Sequence, residues 1–416
     1  MKKQRMRIVS FLVAALLMAF LASCGQDKTE VKEDKQAPKV TEAAPVPVPV
    51  PAPEALEGAP IKIGAIIAAT GGASFLGVPE ANTLGMMVDE INAKGGINGS
   101  KLELILKDSA GSQEKTVSFA KQLIEEDKVF AIIGPSLTGN TLAIKDLCET
   151  SGMLLISCAS SKGIVDPVAK YVFKTPQNDS LAVQMIMENM KMNGITKIAV
   201  AVDGTGFGKM GNMYCEQLAP EYGIEIVATE VYAPDVTDLS SLVAKWKAMG
   251  NIQAVINWSI TPAQVILVKN MRQAGWDVPF YLSHGFGNIK YVEVGGKAVE
   301  GVIFPAGRLL IVDTLADNHP QKKVLSDYKK AYESKFNEPV STFGGHAYDA
   351  LMILAQALET VGKADVAEVR ATIETMSFVG TGGEFNFSAT DHSGLKIDAF
   401  ELLTVKDGQF VQYMAE

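Results

Sequence analysis

Residues 61–107 read IKIGAIIAATGGASFLGVPEANTLGMMVDEINAKGGINGSKLELILK, and the fold class follows from their pattern. Apolar runs at 61–69 and 101–107 have the length of buried strands. Gly95-Gly96 precedes the second run and predicts the end of a helix. That helix is indicated by four apolar residues at the i, i+3, i+4, i+7 spacing: Leu84, Met87, Val88 and Ile91. Near-continuous apolar strands flanking a helix predict a parallel sheet covered on both faces.

The same alternation continues to the end of the chain. Further strands are predicted at 129–134, 153–157, 171–174, 197–203, 224–232, 253–258, 280–283 and 302–305, with β-like runs at 384–387 and 397–404. Further helices are predicted at about 113–126, 138–149, 178–193, 321–336 and 343–361. Two successive runs of alternating elements predict an α/β fold with two doubly wound lobes.

Composition excludes several classes of function. The 416 residues carry 38 Lys+Arg against 47 Asp+Glu, a net charge of −9, which argues against a nucleic-acid partner because phosphate contacts need clustered cations. Four Cys and four His are few and scattered, so we predict neither a metal site nor a cofactor. His319 and His392 are predicted to be surface loop residues.

The N-terminal sixty residues differ from the rest. A basic start (Lys2, Lys3, Arg5, Arg7), an apolar run and the sequence LASCG at 21–25 resemble a bacterial lipoprotein signal, so residues 1–23 are predicted to be removed and Cys24 to be lipidated. The alternative is an ordinary signal peptide with a chance cysteine. Residues 24–60, rich in Pro, Ala and charged residues, are predicted to form a flexible Pro-rich tether. The other three cysteines, Cys148, Cys158 and Cys215, are expected to be buried free thiols.

Two motifs resemble those of enzymes, but neither has the sequence context that the enzymes require. Gly206-x-Gly208-x-x-Gly211 follows a predicted strand, as a dinucleotide fingerprint would, but Asp203-Gly204 intervenes and nicotinamide cofactors are not expected outside the cytoplasm. Ser112-x-x-Lys115 has the spacing of penicillin-binding enzymes but lacks their companion motifs. We therefore predict that the protein is not an enzyme.

The carboxyl ends of the predicted strands contain hydroxyl, small, aromatic and aliphatic residues. In open α/β sheets, ligands bind at these ends. Hydroxyl groups and helix N-termini suit a carboxylate, and aromatic residues suit an apolar body. This inventory indicates binding rather than catalysis, although helix capping is an equal explanation for Thr138 and Ser161.

Several sequences are similar to the leucine/isoleucine/valine-binding protein family. EINAKGGING at 90–99 is the most specific of them, and IKIGA at 61–65, IIGP at 132–135, LISCASS at 155–161 and AYDA at 347–350 extend the resemblance over residues 61–416. The resemblance implies a type I periplasmic-binding fold, with two Rossmann-like lobes joined by three crossovers. It also implies a solute receptor of an ABC importer, with a permease as partner and no catalysis.

The same resemblance implies site residues. Thr138 corresponds to the hydroxyl that binds the ligand carboxylate, and Ala159, Ser160 and Ser161 form the next loop, which supplies backbone and hydroxyl groups. Leu76 corresponds to a position in the wall of the ligand site that is often aromatic in relatives. Phe207 corresponds to the aromatic residue of the second lobe that covers the ligand.

Two residues depart from the family pattern. His284 stands where amino-acid binders place an acid for the ligand ammonium, and Ile260 replaces a polar or aromatic neighbour. A buried ammonium without a counter-charge is costly, so we expect a carboxylate or amide without a free amine. Packing is an equal explanation for His284.

The predicted lobes are 61–177 with 308–390, and 178–307 with 391–416, closing by a hinge near 174–177 and 306–308. The predicted function is a monomeric extracytoplasmic solute-binding lipoprotein of an ABC importer, attached to the membrane through its lipid only. Its ligand would be a small carboxylate, amide or amino-acid-like molecule. The alternative is a ligand-sensing receptor of the same fold that docks a signalling partner.

Overall fold

The computed structural model describes residues 54–55 and 58–414. Its strands are β1 (Glu54–Ala55), β2 (Ile61–Ile67), β3 (Leu102–Asp108), β4 (Ala131–Ile133), β5 (Leu154–Ser157), β6 (Val172–Lys174), β7 (Lys197–Asp203), β8 (Glu225–Tyr232), β9 (Ala254–Trp258), β10 (Phe280–Leu282), β11 (Ile303–Ala306), β12 (Lys363–Ala364), β13 (Ser377–Val379), β14 (Glu384–Asn386), β15 (Glu401–Lys406) and β16 (Gln409–Gln412). Its α-helices are α1 (Ser74–Ala93), α2 (Gln113–Gln122), α3 (Thr138–Ser151), α4 (Asp179–Met192), α5 (Gly206–Leu218), α6 (Ser240–Met249), α7 (Gln264–Gln273), α8 (Ile289–Gly295), α9 (Lys322–Phe336), α10 (Thr342–Val361) and α11 (Val366–Ile373). The predicted α/β alternation is confirmed.

The first lobe is built on a five-stranded parallel sheet in the order β3-β2-β4-β5-β6. Alternate residues of β2 enter different cores, as the period of a strand requires. Ile63 and Ile67 pack with the apolar residues of α1, α9 and α10, whereas Ile66 packs on the opposite face with those of α2 and α3. Both faces are therefore covered, which explains the near-continuous apolar strands.

The second lobe is built on a seven-stranded sheet in the order β16-β15-β11-β10-β9-β7-β8. The strands from β7 to β11 are parallel, and β15 and β16 add an antiparallel edge. The run predicted at 397–404 becomes a strand (β15) only at Glu401, because Ile397–Ala399 form a 3-10 turn. The chain end thus completes the second sheet after α9 and α10 have packed on the first.

The chain passes between the sheets three times, after β6, after β11 and before β15. The passages are hydrogen-bonded to one another. Gln177 Nε2 donates to the carbonyl of Ala399 at 3.4 Å, and Arg308 donates to the carbonyl of Asp398 at 2.8 Å and pairs with Glu401 at 2.7 Å. These contacts join the first and second passages to the third.

Away from the passages, the two lobes touch at their rims. The Asn288 side chain donates to the carbonyl of Phe75 at 2.8 Å, and the ring of Phe75 packs edge-on against Tyr291 at 5.2 Å. The Thr342 amide donates to the carbonyl of Gly287 at 3.1 Å. The lobes therefore enclose the space between the carboxyl ends of their strands.

His392 is buried, and its predicted surface position is wrong. Its ring stacks on Phe173 at 3.9 Å, one nitrogen lies 2.9 Å from the carbonyl of Val172, and the other lies 3.2 Å from Glu374. The cause is the third passage, which crosses β6 at this point. His319, by contrast, is half-buried.

The cysteine prediction is confirmed for the three thiols that the structure describes, Cys148, Cys158 and Cys215, which are buried and unpaired. Cys24, the signal 1–23 and nearly all of the tether 24–60 lie outside the described residues. Over the described part of the chain, we find no helix with the length and apolarity that crossing a membrane requires.

Candidate ligand-binding site

A cavity lies between the two lobes, at the carboxyl ends of their strands. It encloses about 350 Å³ of empty space, including the space at its mouth. The residues that line it are Leu76, Ser136, Thr138, Cys158, Ala159, Ser160, Pro176, Phe207, Ile260, His284, Gly285, Phe343 and His346. Apolar, hydroxyl and imidazole side chains dominate this surface, and none of the described residues that line it is Asp, Glu, Lys or Arg.

The cavity brings together every site residue predicted from the sequence except Ser161. That residue lies behind the lining, fully buried, where its hydroxyl accepts from the Gly163 amide at 3.2 Å and hydrogen-bonds to Asp179. Ser161 therefore caps the start of a short 3-10 helix. Helix capping was the alternative to ligand binding that the sequence left open for this residue. The amide of Ala159 is likewise occupied, because it donates to the Ser157 hydroxyl at 3.0 Å.

Thr138 lies at the start of α3 with its side chain against the cavity. It is 2% exposed, and no side chain caps the N-terminus of α3. The first amides of a helix have no partner within the helix and attract anions. The start of α3, beside the lining residue Ser160, is therefore the part of the cavity best suited to a carboxylate.

Ser136 was missed by the sequence analysis. It accepts a hydrogen bond from the Ala68 amide at 3.0 Å and donates to the Glu80 carboxyl group. Glu80 is fully buried on α1, and burial raises its pKa to about 8, although the Ser136 hydrogen bond opposes this shift. A protonated carboxyl group thus fixes the Ser136 hydroxyl at the cavity wall.

A buried carboxylate organises the second-lobe wall. Asp203, at the end of β7, accepts from the amide of Thr205 at 3.0 Å and from the hydroxyl of Ser259 at 2.6 Å. It thereby connects the loop before Phe207 to the loop that carries Ile260. Asp203 therefore points into these loops, and it is not among the residues that line the cavity.

His284 is held by aromatic rings. Phe207, Trp258 and Phe400 surround it edge-on, with ring centroids 5.4, 5.6 and 5.7 Å away. Neither of its ring nitrogens has a hydrogen-bond partner, and the same is true of Nδ1 of His346, which lines the cavity from α10. Burial lowers the pKa of both imidazoles to about 3, with the charge of Lys174 acting in the same direction, so both are neutral near pH 7.

The glycines of the rejected dinucleotide motif have a packing role. A β-carbon on Gly208 would lie 2.0 Å from the carbonyl oxygen of Asp203, and one on Gly211 would lie 2.2 Å from the Trp258 ring. They allow α5 to pack closely on β7 and β9. The described residues also contain no cluster of three or more His, Cys, Asp or Glu side chains able to hold a metal ion.

Two lobes with a cavity between their strand ends are the architecture of a two-lobe solute-binding protein. The family model for periplasmic binding proteins matches residues 60–409, and the chain belongs to that family. This is a family of solute-binding proteins rather than enzymes, and membership implies an extracytoplasmic location. The family inferred from the sequence resemblance is confirmed, and so are the predicted fold class and the prediction that the protein is not an enzyme.

Similar proteins and solved structures support this family assignment. A leucine-, isoleucine-, valine-, threonine- and alanine-binding protein of Pseudomonas aeruginosa is 27% identical over 73% of this chain and 79% of its own length. An extracellular ligand-binding receptor from Rhodopseudomonas palustris matches with a TM-score of 0.79 and 25% identity, over 85% of this chain and 99% of that one. A branched-chain amino acid transporter substrate-binding protein of Streptococcus pneumoniae, in complex with isoleucine, matches with a TM-score of 0.75 and 26% identity, over 84% and 97%.

Proposed function

We propose that this chain is the solute-binding lipoprotein of an ABC importer and binds a small carboxylate or amide without a free amine in the cavity between its lobes. The lining carries the proposal: hydroxyl groups and the α3 N-terminus suit a carboxylate, whereas none of the described residues that line the cavity supplies a negative charge for an ammonium. Leu76, Ile260 and Phe207 would surround an aliphatic or aromatic body. Relatives that bind branched-chain amino acids support the transport role.

The ligand would connect the lobes and favour the closed arrangement, which a permease then recognises. The lobe boundaries proposed from the sequence place the hinge at the hydrogen-bonded passages near 174–177 and 306–308. A monomer is sufficient for this role, because both walls of the cavity come from one chain.

Titration calorimetry of the purified protein tests the ligand class. Matched pairs such as leucine and isocaproate, or phenylalanine and hydrocinnamate, differ only in the amine. We expect heat from the deaminated acids and little from the amino acids, because a buried, unpaired ammonium costs several kcal/mol. Tight binding of leucine, as expected of an amino-acid receptor, would refute the ligand class and leave the transport role standing.

We expect Thr138→Ala to weaken binding of the acid by about 1–3 kcal/mol, or roughly 5- to 150-fold in Kd, because a buried hydrogen bond to the carboxylate is lost. Calorimetry gives the change directly. Thr150→Ala is the matched control, since this exposed threonine bonds the carbonyl of Asp146 near the far end of α3. An unchanged affinity in Thr138→Ala would remove this hydroxyl from the site.

The N-terminus would attach this receptor to a membrane. We propose that Cys24 is diacylated and becomes the N-terminus when 1–23 are removed, and that 24–60 serve as the tether. Cells expressing the full chain should incorporate labelled palmitate into the protein, and Cys24→Ser should abolish this labelling. Undiminished labelling of the variant would exclude Cys24 as the anchor.

A further inference from the structure

The cavity contains polar groups that a carboxylate does not use. His284 enters it from the second lobe and His346 from α10, which packs on the first lobe. They are only 7% and 6% exposed, and three of their four ring nitrogens are buried without a hydrogen-bond partner. Buried polar atoms in folded proteins are nearly always paired, so unpaired nitrogens at a ligand cavity point to a ligand group.

The chemistry of this group follows from the protonation state of the histidines. Because burial keeps both imidazoles neutral, each ring offers one N–H donor and one nitrogen acceptor. A group placed between the two rings meets one nitrogen of each, and it must accept where that nitrogen carries its proton and donate where it does not. An ammonium can only donate and a carboxylate can only accept, so neither can pair an N–H of one ring together with an unprotonated nitrogen of the other. A hydroxyl group both donates and accepts.

The residues around His284 and His346 hold both imidazole rings in fixed orientations. The aromatic rings of Phe207, Trp258 and Phe400 hold the orientation of His284 by edge-on contacts. Phe343 lies beside His346, with ring centroids 6.5 Å apart. Rings held in this way lose little freedom when a ligand binds, so their hydrogen bonds contribute more to affinity.

We propose that His284 and His346 form a neutral two-sided clamp for a hydroxyl group and that the ligand is a hydroxy acid. Its carboxylate would lie at Thr138 and Ser160, its hydroxyl between the two histidines, and its carbon body against Leu76 and Ile260. This inference rests on the proposed function and adds the second polar group of the ligand to it. The clamp joins residues of both lobes, so the hydroxyl would also stabilise closure.

Calorimetry on the full mature protein tests the clamp with matched acids. Leucate and isocaproate, phenyllactate and hydrocinnamate, and para-hydroxybenzoate and benzoate each differ by one hydroxyl group, placed beside the carboxylate or far from it. We expect the hydroxy acid of at least one pair to bind on the order of tenfold more tightly, since it pairs nitrogens that the other acid leaves unpaired.

Two variants identify the groups that are responsible. His284→Phe keeps a ring within the aromatic surroundings but removes its nitrogens, and it should reduce the hydroxy acid to the affinity of its unhydroxylated partner. His346→Phe should do the same, and it provides a second test if the first variant does not fold, as judged by circular dichroism. Thr138→Ala should weaken both acids of a pair equally, because the carboxylate is common to them.

The outcomes distinguish the histidine clamp from the carboxylate site on which it rests. Equal affinity within all three pairs, or a hydroxyl preference that survives both histidine variants, would overturn the clamp while the carboxylate site stands. Failure of every acid to bind would overturn the clamp together with the proposed ligand class.

Discussion

Gly206→Ala is expected to weaken ligand binding roughly 5- to 150-fold while the separate lobes stay intact. Gly206 begins α5 in the second lobe and lies against Gly139 at the start of α3 in the first. A β-carbon on Gly206 would lie 2.9 Å from the Gly139 amide nitrogen and 3.0 Å from its α-carbon. Since the obstacle is backbone, the lobes must separate, at a cost of about 1–3 kcal/mol for overpacking.

Gly204→Ala is the matched control, because its β-carbon would meet the nearest atom, the carbonyl oxygen of Tyr232, at an ordinary 3.7 Å. Calorimetry should show the loss only in Gly206→Ala. Small-angle scattering with ligand should show a larger radius of gyration for the same variant. Wild-type affinity and scattering in Gly206→Ala would mean that this contact is not part of the binding-competent form.

Glu80→Gln is expected to stabilise the protein, and more so as the pH rises. The pKa of Glu80 is raised by burial from 4.5 to about 8, so the folded state holds a proton that the unfolded state releases between these values. The stability associated with this proton is complete below pH 4.5 and is lost as the pH rises through 8. The neutral amide removes that loss, and the slope of the unfolding free energy against pH should flatten by up to about 1.4 kcal/mol per pH unit.

Urea unfolding at several pH values between 5 and 9 measures this slope. Glu359→Gln makes the same substitution at an exposed position near the end of α10 and is the control, for which we expect the wild-type slope. If the unfolding free energies of Glu80→Gln and the wild type changed with pH in the same way, Glu80 would not be held in its protonated form.

The fold could be predicted from local pattern. The apolar runs and the helical spacing of residues 61–107 specify β2, α1 and β3, and buried parallel strands have the clearest sequence pattern of any sheet. The strand ends indicate where the cavity lies, and within them the resemblance to the family points to Thr138, Phe207 and Ile260.

The remaining residues depend on contacts that are distant in sequence. Ser136 lies within the strand-end stretch 134–138, two positions before Thr138, but its role depends on Glu80, 56 positions earlier. His346 lies in the first turns of α10, which no strand-end argument reaches. The AYDA match at 347–350 placed this helix in the family pattern, and its neighbouring histidine was the available signal. His392 was misplaced because loop composition does not reveal that the third passage crosses β6.

Native mass spectrometry most directly tests the claim that the cavity between the lobes holds a small acid lacking an ammonium. The mature protein and its Thr138→Ala variant are incubated with an equimolar mixture of amino acids and the matching hydroxy and unhydroxylated acids. We predict one molecule of an acid without an amine on each wild-type chain and strongly reduced occupancy in the variant. Retention of an amino acid, or equal occupancy of the two proteins, would contradict the account.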